Sequence, residues 1–276
     1  MFRKYGLFGI LLILLVEVNF FYPIVDLGTL YFPLIWFGYI FLVDALVYKL
    51  QKNSLMSNRP YQFLGLIILS ALFWWTFEII NFAAKNWEYK PLGTIFPYGI
   101  AVIIKTIAFS TVLPAFFETV ELIKSVHLFD NKKLKKKHRI TKKFIHAMFG
   151  IGIVFFILPV VFPDYFYPLI WVTFFFLLDP INYLHNQPSI IQHLKDRKLA
   201  IPLSLLLAGI ILGFFWEFWN YWATVKWYYN IPFVGFFKIF EMPILGYLGY
   251  FPFSFELYAM YWFTRSLFLK KEKQLI

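Results

Sequence analysis

The chain has 276 residues, of which 61% are hydrophobic, 24% aromatic and only 15% charged, with a mean hydropathy of +0.67. Soluble domains are about half apolar and about a quarter charged, so this composition excludes an ordinary soluble domain and points to a polytopic membrane protein. The formal charge of +11 comes from Lys and Arg gathered between apolar runs, where they set orientation and meet anionic headgroups, and with no cysteine the chain has no disulfide, thiolate metal site or Cys nucleophile.

In chain order, the stretch opening "MFRKYGLFGILLILLVEVNF" reads as an uncleaved first span: it lacks a small-x-small cleavage site, and Glu17 and Asn19 follow its apolar core. Apolar runs at 5–22, 31–50, 61–83, 95–123, 144–162, 166–184, 199–222 and 244–268 then predict about eight transmembrane helices in an all-α polytopic membrane protein. Pro97, Pro114, Pro243 and Pro252 interrupt the fourth and eighth runs, which predicts kinks there, with a separate interfacial or re-entrant piece at 231–241. Lys and Arg follow every second span, and the stretch 124–143 alone holds nine. By the positive-inside rule both termini are then cytoplasmic, in a bacterial inner membrane, and 124–143 is a loop that meets anionic lipid headgroups and is dispensable for folding. No nucleic-acid partner is expected.

That basic stretch also divides the chain. "FPLIWFGYIFLVD" (32–44) resembles "YPLIWVTFFFLLD" (167–179), so Asp44 matches Asp179. Glu78-x-x-Asn81 matches Glu217-x-x-Asn220, "WEY" (87–89) matches "WYY" (227–229), and "PAFFE" (114–118) matches "PFSFE" (252–256). Four markers in one order, at offsets of 135 to 140, predict a tandem duplication: repeats at 1–123 and 144–276, joined by the linker 124–143. Four spans per repeat give both halves the same membrane sense, with a pseudo-twofold axis along the membrane normal.

At about 1.5 Å of rise per residue, Glu78 sits roughly 10 Å inside the outer edge, and Asp44 and Glu118 roughly 8 to 9 Å inside the cytoplasmic edge. Two polar layers follow: an outer one of Glu78, Asn81, Glu217 and Asn220, with Lys105 and Lys238, and an inner one of Asp44, Glu118, Asp179 and Glu256. Such groups are costly at membrane depth, so they pair, protonate or face a cavity. Glu78 with Lys105 and Glu217 with Lys238 can be plain ion pairs, and Asp44 a tie to a neighbouring helix. The same acids can instead line a substrate cavity, with each Asn holding its Glu and a freed proline carbonyl meeting Glu118 or Glu256. No His cluster has ligand spacing, so neither metal nor cofactor is expected.

Most of the aromatic residues suit lipid contact or an interfacial belt. Trp74 and Trp216 beside the two Glu, and Trp87, Tyr89, Trp227 and Tyr229 beyond them, also suit a wall that stabilises a cation. An acid-bearing span, then Trp87-x-Tyr89 or Trp227-x-Tyr229, then Pro114 to Glu118 or Pro252 to Glu256, resembles the motif order of small membrane lycopene-cyclase-domain proteins, although that family's Glu doublet is absent. The resemblance implies metal-independent, acid-catalysed cyclisation or isomerisation of a membrane-dissolved isoprenoid or other lipid. The alternative is a transporter or lipid-handling channel with a polar path along the pseudo-twofold axis.

Overall fold

In the computed structural model the described residues are 2–23, 28–90, 96–137 and 139–268. His138 of the linker and 269–276, the end of the second expected repeat, lie outside them. The helices are α1 (Lys4–Phe21), α2 (Tyr31–Gln51), α3 (Leu55–Asn58), α4 (Pro60–Ala84), α5 (Tyr98–Phe109), α6 (Val112–Ser125), α7 (Lys142–Val161), α8 (Pro163–Phe166), α9 (Ile170–Leu184), α10 (Ile190–Lys195), α11 (Ala200–Trp222) and α12 (Tyr250–Phe268). The strands are β1 (Trp87–Lys90), β2 (Lys226–Tyr229), β3 (Lys238–Ile239) and β4 (Met242–Pro243). The protein is thus mostly helical, and among the described residues seven helical segments are long and apolar enough to cross a membrane.

The eighth expected span is the exception. Helix α12 has 19 residues but starts at Tyr250, because Ile244–Gly249 is a 3-10 turn. Glu256, Arg265 and several Tyr and Trp side chains keep it outside the strongly apolar set. It is nevertheless the best buried of the long helices, packed between α9 and α11. By contrast α1 and α7 leave one flank open, with Leu7, Leu11, Leu14, Val154, Ile157 and Val161 exposed as lipid contact requires.

The fourth span breaks one turn before Pro114, where the proline offers no N–H to Ser110 O. Helices α5 and α6 part at Ser110–Thr111, and Pro114 falls in the first turn of α6, where its missing N–H needs no partner. Pro252 stands in the same place in α12, and Pro97 is the N-cap of α5. The break is carried by Ser70 of α4. Its hydroxyl donates to Phe109 O and accepts from Leu113 N at 2.9 Å, standing between two backbone groups that a continuous helix would join directly. The piece expected at 231–241 is irregular, with a β3–β4 hairpin and exposed Phe233, Phe236 and Phe237.

Tight helix pairs flank the molecule. Gly9 and Gly38 let α1 and α2 touch backbone to backbone, since a Cβ at Gly9 would lie 2.6 Å from Gly38 O. Gly152 does the same for α7 against Leu177 of α9. The core between these pairs is aromatic and crosses from one part of the chain to the other. Trp36 of α2 meets Trp216 and Trp219 of α11 with ring centroids 5.7 and 4.8 Å apart, and Trp171 of α9 meets Phe77 of α4 at 5.6 Å. Over this core β1 and β2 pair antiparallel, Trp87 opposite Tyr229, Glu88 opposite Tyr228 and Tyr89 opposite Trp227.

The basic stretch is better anchored than its composition suggests. Lys133 bridges to Lys198, Leu199 N donates to Lys132 O, Leu134 N donates to Arg197 O at 3.1 Å, and Phe129 packs on the core.

Candidate functional site: an aromatic chamber between two Glu-x-x-Asn helices

The two asparagines have one job each, and it is not to hold a glutamate. Asn81 donates to Trp87 O at 2.8 Å and accepts from Asn86 N and Trp87 N; Asn220 donates to Trp227 O and accepts from Trp227 N, both at 2.9 Å. Each side-chain amide therefore pairs like a strand edge, fixing β1 to the end of α4 and β2 to the end of α11. This corrects the expectation that each Asn contacts its Glu.

The tethered strands bring their aromatic residues to the acids. Glu78 Oε1 accepts from Trp87 Nε1 and Tyr89 OH, both at 2.8 Å, and Lys105 Nζ donates to its Oε2 at 2.7 Å. The expected Glu78–Lys105 pair is thus present, with both side chains largely buried. Glu217 is solved differently. Its Oε1 accepts from Tyr229 OH and Tyr250 OH, each at 2.7 Å, while its Oε2 is buried with no hydrogen-bond partner among the described residues. Lys238 does not reach it: Lys238 is exposed on β3, and Glu241 pairs with Lys226 at 2.8 Å. Burial first, then the adjacent carboxylate, hold the Tyr89 and Tyr229 hydroxyls well above the usual phenol range, so both strand tyrosines keep their protons and donate.

Between the two acids lies a cavity of about 110 Å³. Of the expected binding residues, Trp74, Trp87, Tyr89, Lys105, Trp216, Trp227 and Tyr229 all line it, and Phe32, Phe109, Trp171, Tyr250 and Phe253 complete its aromatic wall. Neither Glu78 nor Glu217 is part of that wall; each stands behind the side chains it binds. Through Trp87, Trp171, Tyr229, Met242, Gly246 and Gly249 the chamber adjoins a second cavity of about 270 Å³, whose outer side is formed by Tyr167, Pro168, Ile231, Val234 and Leu245. Tyr250 carried no signal in the sequence beyond its aromatic class; Trp171 and Phe253 lie inside two of the repeated stretches, but nothing local marks them as convergent.

The inner acids fall elsewhere, and lining neither cavity they form a different kind of site. Asp44 accepts from Ser54 Oγ at 2.9 Å, Met56 N at 2.8 Å and the Tyr5 hydroxyl, holding the N-terminus of α3. Asp179 accepts from Ile190 N at 2.7 Å and Ile191 N at 2.9 Å, holding the N-terminus of α10. Ser54 and Ser189 are the N-caps of these short helices, each ten residues after its Asp, a spacing that sequence reasoning missed. Glu256 accepts from Phe174 N of α9 at 2.8 Å, not from its own helix, so the proline-carbonyl expectation fails there. Glu118 is buried beside Asp44, with Glu121 and Arg59 the other ionisable groups acting on it. Arg59 and Glu121 pair at 2.7 Å. Among the described residues no cluster has the donors for a metal ion. Comparison of the chain with protein-family models, curated proteins and solved structures finds no match.

Proposed function

We propose that the chain is a membrane-embedded enzyme that takes an isoprenoid or other apolar lipid into the aromatic chamber and rearranges it by acid catalysis, as the lycopene-cyclase-like motif order implies. One observation carries the reading: Tyr229 and Tyr250, both on the chamber wall, hydrogen-bond to a buried Glu217 that has no cationic partner among the described residues. In this reading Glu217 is the acid, and a wall hydroxyl passes a proton to a double bond in step with taking one from Glu217, so that no phenolate forms. The resulting carbocation is attacked by a neighbouring double bond, or simply relocates. A proton lost from the adjacent carbon returns to the same tyrosine–glutamate group, so substrate and product have equal mass. Trp171, Trp216, Trp227 and Phe253 present the faces that would stabilise the cation. The transport alternative draws no comparable support, because none of Asp44, Glu118, Asp179 or Glu256 lines either cavity.

We also infer that the chain is a duplicated four-span unit, with eight spans, both termini cytoplasmic and the β1–β2 pair at the outer side of a bacterial inner membrane. The strand register supports this. Under the offset of the Trp-x-Tyr motifs Glu88 corresponds to Tyr228, and these two pair directly, as a local twofold axis requires. The crossed contacts Trp36–Trp216 and Trp171–Phe77 exchange in the same way.

The test compares lipid extracts of cells with and without the gene, and purified protein incubated with acyclic isoprenoids. Conversion to a product of the same mass and different retention, abolished by Glu217→Gln, is expected. Unchanged lipids in both arms would overturn the reading.

A further inference from the structure

A chamber for an apolar chain has no need of an amine, yet Lys105 supplies one, and it is the one lysine on either cavity wall among the described residues. Its Nζ lies 2.7 Å from Glu78 Oε2, 4.1 Å from the centroid of the Tyr89 ring and 5.6 Å from that of Phe109. Glu78 is in turn fixed at its other oxygen by Trp87 and Tyr89, so carboxylate and rings form a rigid seat for one positive charge. A purely structural pair is served at least as well by arginine, whose fork binds both carboxylate oxygens. Lysine differs in one chemical respect: its amine condenses with carbonyl compounds.

We propose that Lys105 is a covalent site, condensing with the aldehyde of a long-chain apolar lipid to give an iminium whose counter-ion is Glu78. The ammonium passes one proton to Glu78, and the free amine adds to the carbonyl carbon. One amine proton and the proton held by Glu78 then go to the carbonyl oxygen, which leaves as water. The iminium keeps the remaining N–H, and Glu78 is again a carboxylate beside a cation. No oxidant or reductant is involved, and the product charge occupies the seat that the ammonium held. The apolar wall excludes the water that would reverse the condensation. The proposal rests on the reading of the chamber as a lipid site but is independent of acid catalysis at Glu217.

The experiment uses the purified full-length protein in detergent, with all-trans-retinal as the aldehyde probe and all-trans-retinol as its non-aldehyde counterpart. After borohydride reduction, peptide mass mapping should show the adduct on Lys105 about tenfold or more above any loop lysine. Before reduction, a red-shifted absorption band should appear, and Glu78→Gln should diminish that shift at neutral pH because the iminium, without its counter-ion, gives up its proton. Lys105→Arg should remove both signals; the wild-type peptide map stands by itself if that variant does not fold. Labelling of Lys105 no greater than that of loop lysines overturns the proposal. Quenching of tryptophan fluorescence by retinol reports chamber occupancy separately. Quenching without an adduct overturns the covalent site alone, an adduct without quenching supports it, and the absence of both overturns it together with the lipid-chamber reading.

Discussion

The segments 78–89 and 217–229 use one scaffold to hold two different acids. In both, a helix ends in Glu-x-x-Asn, the Asn clamps a strand, and the strand returns a tyrosine hydroxyl to the Glu. They part at the remaining oxygen. Glu78 Oε2 receives Lys105 from α5, whereas Glu217 Oε2 receives no hydrogen bond among the described residues and Tyr250 joins Tyr229 on Oε1; the chain at 231–249 forms a hairpin and a 3-10 turn where the first region has a helix. The first site is therefore a compensated ion pair and the second a carboxyl among neutral donors. The backbone motif fixes where an acid sits, and the non-repeated element beside it fixes what the acid can do.

Removing the cation should produce the largest difference. Lys105→Met leaves Glu78 buried and unpaired, which typically costs about 3 to 5 kcal/mol. Thermal unfolding in detergent should show this loss, and adding Glu78→Gln should recover much of it. Lys238→Met, at the lysine first expected to serve Glu217, should be nearly silent because that side chain is exposed on β3. Equal losses from the two lysine variants would dissolve the contrast.

A second contrast lies at the Asp-capped short helices. Only the second carries a histidine: His193 of α10 sits 3.0 Å from Tyr258 OH, and burial lowers its pKa to about 4. The folded state therefore favours neutral His193. Its contribution is complete above the unfolded value near 6.5 and is lost as pH falls toward 4, which at about 1.4 kcal/mol per unit amounts to roughly 3 kcal/mol. Unfolding followed across pH 7 to 4 should show this loss in the wild type and a flatter curve in His193→Gln. Identical slopes would mean that His193 protonates without cost.

The asparagines come next. Asn220 is fully buried and Asn81 is not. Asn220→Ala removes the buried partner of both the Trp227 N–H and C=O, for about 2 to 3 kcal/mol, and Asn81→Ala should cost about half as much. Hydrogen exchange at β1 and β2 would check it: in each variant the strand on the mutated side should lose protection first.

How far the sequence revealed this arrangement depended on spacing. Glu78 to Asn81 and Glu217 to Asn220 are local on a helix, and their recurrence was visible, as were the Trp-x-Tyr pairs that the asparagines clamp. The Glu78–Lys105 pair was also legible, because a lone intramembrane lysine must find a carboxylate. Tyr250, Trp171 and Phe253 were not, since their convergence depends on how α9 and α12 pack on α4 and α11, and nothing within a single helix records that. The partners of the inner carboxylates were not legible for the same reason. Asp44 and Asp179 each accept from backbone N–H groups 11 or 12 residues ahead, Asp44 also holds Ser54 Oγ and lies beside Glu118, and Glu256 reaches a different helix. Ser70 shows the limit most plainly: Pro114 marks the break between α5 and α6 in the sequence, but the hydroxyl that bridges it comes from 39 and 43 residues away.

The smallest stability effect should carry the largest functional one. Glu217→Gln retains the oxygen that accepts from Tyr229 and Tyr250 and replaces the partnerless Oε2 with another partnerless group. If Glu217 is the neutral acid of the proposed reaction, the exchange is neutral for neutral and should cost under about 1 kcal/mol. Glu78→Gln instead leaves the Lys105 ammonium without its carboxylate and should cost more. Activity should run the other way. Glu217→Gln cannot recharge the wall tyrosines and should abolish same-mass rearrangement of the lipid, while Glu78→Gln should slow it by an amount that a stabilising temperature or lipid partly restores. Measured together, melting temperature and product yield separate the roles. A Glu217→Gln protein that melts like the wild type and yields no product identifies the acid, whereas one that stays fully active, alone and combined with Glu78→Gln, reduces both glutamates to ties between helices and removes the chemical reading of the chamber.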